Sequence, residues 1–356
     1  MRPNTRKNII YSIVLLVAVM LVYSWRNRDK TETTVTEAVV EAGKLRLSGP
    51  TMGTTYNITY LDDQDRDLKP SIDSLLEVFN QSLSTYIPDS ELSKFNSGDT
   101  LDYNLPYLYP VLEASKEIYE NTNGAFDPTV GPLVNIWGFG PGGPELKDSV
   151  DINLLLKTVG FTKIEFDKKQ VRKKVPGIYL DFSAIAKGYG SDVVANFLSD
   201  KGIQNYLVEI GGELVAKGVN EKGELWKVGI NRPEESANAS DLMGIVALQD
   251  RAMATSGNYR NFYMRDSLRI SHTIDPATGY PVNHSLLSAT VVAKDCMTAD
   301  AYATAMMVMG KDEAIALDQK LDEIEVFLIF DDGTGNFKTF SSDSLKPYLS
   351  FLDENK

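Results

Sequence analysis

The chain has 356 residues, of which 43% are hydrophobic and 24% charged, so it is long enough to build a large core in one or two domains. Its formal net charge is −13, with 49 Asp and Glu against 36 Lys and Arg. This acidic balance argues against binding to the phosphate backbone of nucleic acid, because that binding requires clustered Lys and Arg.

An uncharged apolar run occupies residues 9–25, near the lower length limit for a membrane span, and a short basic segment at residues 1–8 precedes it. A cleaved secretory signal and an uncleaved anchor both begin in this way. No small-residue cleavage site follows the run, which favours a transmembrane signal anchor. The only cysteine, Cys296, lies far from this leader, so no cysteine is available there to carry a lipid. We therefore expect a single-pass anchor, with residues 1–8 in the cytoplasm and the bulk of the chain outside it.

Residues 26–44 are rich in Thr and Glu without a clear period, and we expect them to form a linker. Beyond the linker, apolar residues at helical spacing predict three helices in the first part of the chain. One follows Pro70, the second runs from about residue 106 to 121, and the third from about residue 185 to 201.

The second half of the chain consists mostly of short β-rich segments bounded by Gly, Pro or Asn, among them "LWKVGI", "MGIVALQ" and "LLSATVVA". Two more helices, from about Thr298 and Asp312, lead to a terminal hairpin that turns near Gly333 and Gly335. Helices and strands do not alternate regularly, which predicts an α+β fold rather than a parallel α/β sheet.

A segment crowded with Gly, Pro and Asn, residues 123–140, contains the aromatic residues Phe126, Trp137 and Phe139. This composition predicts neither a regular helix nor a strand, yet the aromatic side chains favour burial. We interpret the segment as an ordered loop, called the aromatic loop below. It could border a planar ligand or plug the core, and the segment alone does not separate these two roles.

A strand expected to end at Asp181 is followed by a Ser/Ala turn and by the helix that carries Lys187 in its first turns. The start of such a helix offers free backbone N–H groups and a partial positive charge, which suit a phosphate, and Lys187 would add a point charge. In the alternative interpretation, Gly188 and Gly190 allow close helix packing and Lys187 is solvated. The segment matches no nucleotide-binding fingerprint by itself.

The chain has two histidines, His272 and His284. His272 is expected on an alternating strand that ends in the turn "DPATG", and it is a candidate general base because histidine can take a proton near neutral pH. A lone histidine on a strand is more often structural. His284, just beyond the turn, is expected at the surface.

The segment "MTADAYATAMMVMG" at residues 297–310 predicts a helix that is apolar nearly all round and therefore enclosed by a core. Asp300 and Thr304 interrupt this pattern, and because they are four residues apart they lie on one face. Locally, Asp300 could cap the helix and Thr304 could bond back to the carbonyl of residue 300. The alternative is that both face a ligand.

Eight motifs follow one another along the chain: "MGTTY" at 52–56, "DSELSKFN" at 89–96, "GAFDPTVGPLVNIWGFG" at 124–140, "DFSAIAKGYGSD" at 181–192, "VEIGGELVAKG" at 208–218, "ATSGNYRNF" at 254–262, "SHTIDPATGYPV" at 271–282 and "TADAYATAMMVMG" at 298–310. In this order they resemble the ApbE family, the FAD:protein FMN transferases. The resemblance implies an ApbE-like α+β domain at residues 45–352, with mixed or antiparallel β-sheets flanked by helices, and a short tail at residues 353–356.

Members of this family use Mg²⁺ to cleave FAD at its pyrophosphate, transfer FMN to a Thr or Ser hydroxyl of a target redox protein through a phosphoester bond, and release AMP. The resemblance implies that the metal is held by Asp300, Thr304 and the backbone carbonyl of Ala184, a set of hard oxygen ligands that suits Mg²⁺. We expect His272 to be the catalytic base. The cofactor contacts carried over from the family motifs are Met52, Tyr86, Ala125, Phe126, Asp127, Asp181, Lys187 and Ile274.

The resemblance also implies that FAD is the substrate and that the acceptors are exported segments of redox proteins. Examples are subunits of sodium-pumping NADH:quinone oxidoreductases or of related electron-transfer complexes. With the expected anchor, the protein would sit in the inner membrane and its catalytic domain would face the periplasm. Two other functions stay open: an Mg²⁺-dependent FAD pyrophosphatase that gives FMN and AMP, and a membrane-tethered protein that binds flavin without turnover.

Overall fold

The structure is a computed structural model that describes residues 43–140, 151–234, 238, 241–258, 262–265 and 268–352. These residues form eight α-helices: α1 (Lys69–Leu83), α2 (Glu91–Ser97), α3 (Leu108–Asn121), α4 (Gly131–Ile136), α5 (Ile152–Leu156), α6 (Ala186–Asp200), α7 (Cys296–Met309) and α8 (Lys311–Lys320). From Gly43 onward the described residues belong to one compact unit.

The same residues form sixteen strands: β1 (Gly43–Thr51), β2 (Thr54–Asp62), β3 (Thr100–Asp102), β4 (Ile164–Phe166), β5 (Gln170–Lys173), β6 (Asn205–Ile210), β7 (Glu213–Lys217), β8 (Trp226–Asn231), β9 (Leu242–Leu248), β10 (Arg251–Gly257), β11 (Phe262–Arg265), β12 (Leu268–Ser271), β13 (Leu286–Ala293), β14 (Ile324–Asp331), β15 (Phe337–Ser341) and β16 (Leu349–Phe351). Eight of them form one sheet in the order β1-β2-β6-β7-β10-β13-β14-β15. Smaller sheets have the orders β16-β9-β8, β3-β5-β4 and β11-β12, and the recorded strand pairs are antiparallel. The predicted α+β fold is therefore confirmed, with antiparallel sheets.

The central strands β13 and β14 are apolar along nearly their whole length because both of their faces are covered. Val291 and Ala293 belong to the core on the helix side, whereas Val292 between them belongs to the core shared with the β16-β9-β8 sheet. In β14, Leu328 and Phe327 divide between the same two cores. Successive side chains of a strand point to opposite faces, so a strand buried on both sides is apolar at most positions rather than at every second one.

Helix α7 lies in the middle of the helix-side core and packs against β10, β13 and α6. This enclosure explains why the helix is apolar nearly all round. Asp295 precedes the helix as its N-cap: its side chain accepts a hydrogen bond from the Thr298 amide at 2.8 Å and so caps the first turn.

The predicted helices and the terminal hairpin are confirmed, with shifts of a few residues at their ends. Helix α1 starts at Lys69 with Pro70 in its first turn, α3 covers the second prediction, and α6 covers the third. Strands β14 and β15 pair with each other across the turn that holds Gly333 and Gly335.

Three local predictions are wrong. The aromatic loop is not wholly irregular, because Gly131–Ile136 forms the short helix α4, which Pro132 favours from the first turn. No strand of the described chain ends at Asp181; its amide instead donates to the Pro128 carbonyl at 2.8 Å, which ties it to the aromatic loop. Strand β12 ends at Ser271, so His272 lies just beyond a strand rather than on one.

Within the described part of the chain, no helix has both the length and the apolar character needed to cross a membrane. The expected anchor at residues 9–25 lies outside the described residues.

Candidate functional site

The site residues expected from the sequence lie around two adjoining cavities. The first cavity has a volume of about 350 Å³ and the second about 670 Å³. Both are lined by Tyr86, Asp181, Ser183 and Lys187, which form their common boundary. Together they provide room for an extended ligand that passes Lys187.

Most of the expected residues line the first cavity: Tyr86, Ala125, Phe126, Asp127, Asp181, Ala184, Lys187, His272, Ile274, Asp300 and Thr304. Met52 does not line it but borders the second cavity. The fold thus gathers side chains that are far apart in the sequence.

Met52 reaches the second cavity from the tight turn between β1 and β2. Met52 and Gly53 both have positive φ, 50° and 71°, and they are flanked by the paired residues Thr51 and Thr54. Two residues of positive φ suit a two-residue hairpin, but this conformation is unfavourable for methionine. The hairpin therefore holds the Met52 side chain in place at a cost in backbone energy.

Asp300 is 2% exposed and faces α6 across a very close helix contact. The Gly188 amide donates a hydrogen bond to Asp300 Oδ2 at 3.0 Å. A Cβ at position 188 would overlap the backbone carbonyl oxygen of Cys296, so only glycine fits here. The proposal that Asp300 caps its helix is wrong, because Asp295 is the cap.

Thr304 lies one turn further along α7 and faces the same cavity. Its Oγ1 is 3.1 Å from the hydroxyl oxygen of Ser256, which is at the end of β10 and also lines the cavity. Asp300, Thr304 and Ser256 thus bring three oxygen-bearing side chains to one wall.

Lys187 is not simply solvated, since its ammonium lies between two carboxylates. Its Nζ is 3.1 Å from Glu213 Oε1 and 3.7 Å from Asp300 Oδ2, and 28% of its side chain is exposed. Burial lowers the pKa of Lys187, but Asp300 and Glu213 outweigh this effect and the pKa lies above its usual value. Burial raises the pKa of the Glu213 carboxyl, whereas the adjacent Lys187 ammonium acts in the opposite direction.

The turn before α6 is shaped by Asp181. The amide and the hydroxyl of Ser183 both donate to Asp181 Oδ1, at 2.8 and 2.6 Å. This side-chain turn places Ala184 at the cavity and leads directly into the helix of Lys187. The expected strand-to-helix junction is therefore a loop-to-helix junction with the same outcome for the site.

Asp127 is held inside the aromatic loop by Thr129. The Thr129 amide and hydroxyl donate to Asp127 Oδ1 at 2.8 and 2.6 Å, and the Gly160 amide donates to the Thr129 hydroxyl oxygen. Burial raises the pKa of the Asp127 carboxyl to about 6 despite the hydrogen bonds from Thr129.

The aromatic loop both plugs the core and forms a wall of the cavity, so the two interpretations are not exclusive. Phe126 is buried in the helix-side core and touches the cavity. Phe139 packs edge-on against His272, with ring centroids 6.2 Å apart, and both rings line the cavity. His284 is exposed, as expected, and its Nε2 lies 2.9 Å from the carbonyl oxygen of Met307.

Comparison with known protein families identifies the family to which this fold and site belong. The family model described as the ApbE family matches residues 52–328. This chain belongs to the ApbE family.

Curated ApbE relatives match over most of their length. A protein named FAD:protein FMN transferase from Vibrio cholerae serotype O1 is 43% identical over 323 residues, which is 87% of this chain and 94% of the relative. A protein of the same name from Escherichia coli K12 is 34% identical over 352 residues, 94% of this chain and 96% of the relative.

Solved ApbE structures share the fold. The flavin transferase ApbE from Vibrio cholerae superposes with a TM-score of 0.76 at 41% identity, covering 86% of this chain and 99% of that one. The apo form of the Pseudomonas stutzeri flavinyl transferase ApbE gives a TM-score of 0.76 at 34% identity, with 86% of this chain and 97% of that one covered.

Four residues at the site of this ApbE chain were not singled out from the sequence: Ser183, Glu213, Ser256 and Thr273. All four lie inside quoted motifs, where a polar residue among small or apolar neighbours was the available signal. Glu213 was the hardest to find, because it lies behind Lys187 and lines neither cavity.

For a metal ion, the site offers separate oxygen ligands of different kinds rather than a cluster of acidic or histidine side chains. Among the described residues, no group of three or more His, Cys, Asp or Glu is placed to hold a metal ion. Of the three carboxylates that line the first cavity, Asp127 and Asp181 accept hydrogen bonds from Thr129 and Ser183, whereas Asp300 lies on the same wall as the Thr304 hydroxyl. A hard cation that keeps water or substrate phosphates as ligands fits such a set, whereas zinc favours Cys and His.

Proposed function

We propose that this ApbE-family protein is an FAD:protein FMN transferase that moves FMN from FAD to a Thr or Ser hydroxyl of a redox protein. The observation that carries this proposal is the convergence of Asp300, Thr304, Lys187 and His272 on one cavity that continues into a second. In the reaction, the acceptor oxygen forms a bond to the FMN phosphorus, the pyrophosphate P–O bond breaks, AMP leaves, and the hydroxyl proton passes to a base. The names of the relatives support the same activity.

Mg²⁺ is the metal we propose, held by the Asp300 carboxylate, the Thr304 hydroxyl and the Ala184 carbonyl. When bound, it would draw charge from the phosphate oxygens and hold them in position. One protein carboxylate with neutral oxygen donors leaves places for phosphate oxygens and water, which is the usual state of Mg²⁺ in phosphoryl-transfer sites.

Lys187 is the residue we propose to orient the pyrophosphate, and its lining of both cavities supports this role. His272 is the proposed base for the acceptor hydroxyl. Its ring lies against Phe139 and lines the same cavity as Asp300.

The flavin and adenine parts of FAD would lie along the two cavities. Ala125, Phe126, Asp127 and Ile274 border the first, and Met52 borders the second. Tyr86, 69% exposed, stands where the two cavities meet and can cover a ring system there.

We further propose that residues 9–25 anchor the protein in the inner membrane with its catalytic domain in the periplasm. The acceptors would then be exported segments of redox proteins, such as subunits of sodium-pumping NADH:quinone oxidoreductases or related complexes. The apolar leader and the absence of a nearby cysteine support this placement.

The test is a chromatographic count of products from FAD and Mg²⁺ with and without a purified candidate acceptor. A transferase releases AMP in step with acceptor addition and leaves little free FMN. Equal release of free FMN and AMP without an acceptor would instead identify an FAD pyrophosphatase. Unaltered FAD after incubation with a range of such acceptors would support a flavin-binding protein without turnover and contradict the proposal.

A further inference from the structure

Lys187 has two carboxylate partners, and only one of them belongs to the proposed metal site. Among the described residues that line the first cavity, it supplies the one ammonium or guanidinium group. Its Nζ is closer to Glu213 Oε1, at 3.1 Å, than to Asp300 Oδ2, at 3.7 Å. The ammonium is therefore shared between Asp300, which a cation would also use, and Glu213, which lines neither cavity.

Glu213 is fixed in position by the backbone around it. The Ser191 hydroxyl donates to the Glu213 carbonyl at 3.0 Å, which ties the start of β7 to α6. At Gly211, just before β7, a Cβ would lie 3.2 Å from Lys187 Cδ, so the glycine leaves room for the lysine stem. The contact between Lys187 and Glu213 is therefore supported both by the tie between α6 and β7 and by the glycine before β7.

The Glu213 carboxyl also has an oxygen that no other group uses among the described residues. Its side chain is 6% exposed, and its second oxygen, Oε2, is buried with no hydrogen-bond partner among the described residues. A buried carboxylate oxygen without a partner is costly, so its retention beside Lys187 calls for a role beyond packing.

We propose that Glu213 is a positioning residue that holds the Lys187 ammonium while a divalent cation occupies Asp300. This inference rests on the proposed function, since it assumes cation binding at Asp300. An ammonium and a divalent cation on the same carboxylate repel each other at a separation of a few ångströms. A second carboxylate beside Lys187 lets Asp300 serve the cation while the ammonium stays at the cavity boundary, where it can meet a phosphate.

The experiment measures Mn²⁺ affinity by electron paramagnetic resonance, without FAD, for the wild type, Glu213→Gln, Lys187→Met and the double variant. Glu213→Gln should weaken Mn²⁺ binding about tenfold, because Lys187 then remains on Asp300. In the Lys187→Met background, the same Glu213→Gln change should alter the affinity by no more than about twofold, because the competing ammonium is gone.

Equal weakening by Glu213→Gln in both backgrounds would overturn the inference, since Glu213 would then act through its own charge or as a ligand. Glu213→Asp is the second variant, because it keeps the charge and withdraws it from Lys187 by one methylene. Weakened Mn²⁺ binding in Glu213→Asp supports the positioning role, and wild-type affinity contradicts it. If the wild type itself binds no Mn²⁺, the proposed metal site fails and this inference fails with it.

Discussion

Asp300 is a buried carboxylate in an otherwise apolar helix, and its neighbours explain how the fold tolerates it. The Gly188 amide donates to it and the Lys187 ammonium lies 3.7 Å away, so the charge has both a hydrogen bond and an opposite charge. Removing such partners from a buried charge is strongly destabilising. Both partners come from α6, and the Asp300 side chain lines the first cavity, where a metal ligand is needed.

Thr304→Val should lower FMN transfer at limiting Mg²⁺ by about tenfold or more, the scale on which metal sites respond to loss of a polar group. Valine keeps the shape of threonine and removes the hydroxyl that faces Ser256 and the cavity. Thr304→Ser is the matched control and should retain most of the Mg²⁺ affinity. The readouts are transfer rate against Mg²⁺ concentration and thermal stability. An unchanged Mg²⁺ dependence in Thr304→Val would remove this residue from the metal site.

The Asp127→Asn variant tests the free-energy cost of burying an ionisable carboxyl in the aromatic loop. Burial raises the pKa of Asp127 from 3.8 to about 6, so ionising this carboxyl opposes folding. The protonated carboxyl is the form that favours folding. Its contribution to stability is fully present below about pH 4 and is lost as the pH rises through about 6. Asparagine keeps an oxygen that can accept from Thr129 but does not ionise.

Relative to the wild type, Asp127→Asn should therefore gain about 1–3 kcal/mol of unfolding free energy between pH 4 and pH 7. Urea unfolding of both proteins at the two pH values measures this difference. If the difference in unfolding free energy between the two proteins stays constant across the pH range, the pKa of Asp127 is not raised in the folded protein.

At the scale of elements, the crossing of α6 and α7 determines the geometry of the site. Asp192 on α6 accepts hydrogen bonds from the Cys296 and Met297 amides, both at 2.8 Å, and so fixes the first turn of α7. Gly188 then allows the helices to touch. The relative placement of Lys187 and Asp300 depends on this contact, since each side chain belongs to a different helix.

Gly188→Ala should destabilise the protein by about 1–3 kcal/mol and weaken Mg²⁺ binding, because the new methyl group must push the Cys296 carbonyl away. Gly190→Ala is the matched control in the same helix. Its methyl group would meet mainly the flexible end of the Met52 side chain at 2.5 Å, and alanine favours helix by up to about 1 kcal/mol. Urea unfolding compares the two variants. Equal effects would mean that the α6–α7 contact is not tightly packed at Gly188.

The long elements were predictable from sequence because periodic burial leaves a strong pattern. Helix α7, which is apolar nearly all round, and the β14–β15 hairpin are examples. The short helix α4 was not predictable, because six residues are fewer than two turns and carry little periodicity. The strand predicted before Asp181 is absent for a different reason. Its apolar residues are buried in the helix-side core, and its backbone bonds to the Asn96 side chain and to the Pro128 carbonyl rather than in a sheet.

At the scale of the whole molecule, the eight ordered motifs predicted which residues would meet, although not how. Met52 and Thr304 are separated by most of the domain, yet they border adjoining cavities. The pairing of Lys187 with Glu213 could not be derived from the sequence, because it depends on how β7 lies beside α6. Sequence patterns identify the polar residues, whereas the tertiary contacts determine which of them form ion pairs.

The most direct test of the central claim is intact-mass and peptide mass spectrometry of a candidate acceptor, such as an exported subunit of a sodium-pumping NADH:quinone oxidoreductase. The acceptor is incubated with FAD, Mg²⁺ and either the wild-type protein or Asp300→Asn. We predict that the wild type adds one FMN, less one water, to a single Thr or Ser, and that Asp300→Asn does not. An acceptor modified equally by both proteins would contradict the assigned site, and turnover of FAD with no modified acceptor would contradict the transferase itself.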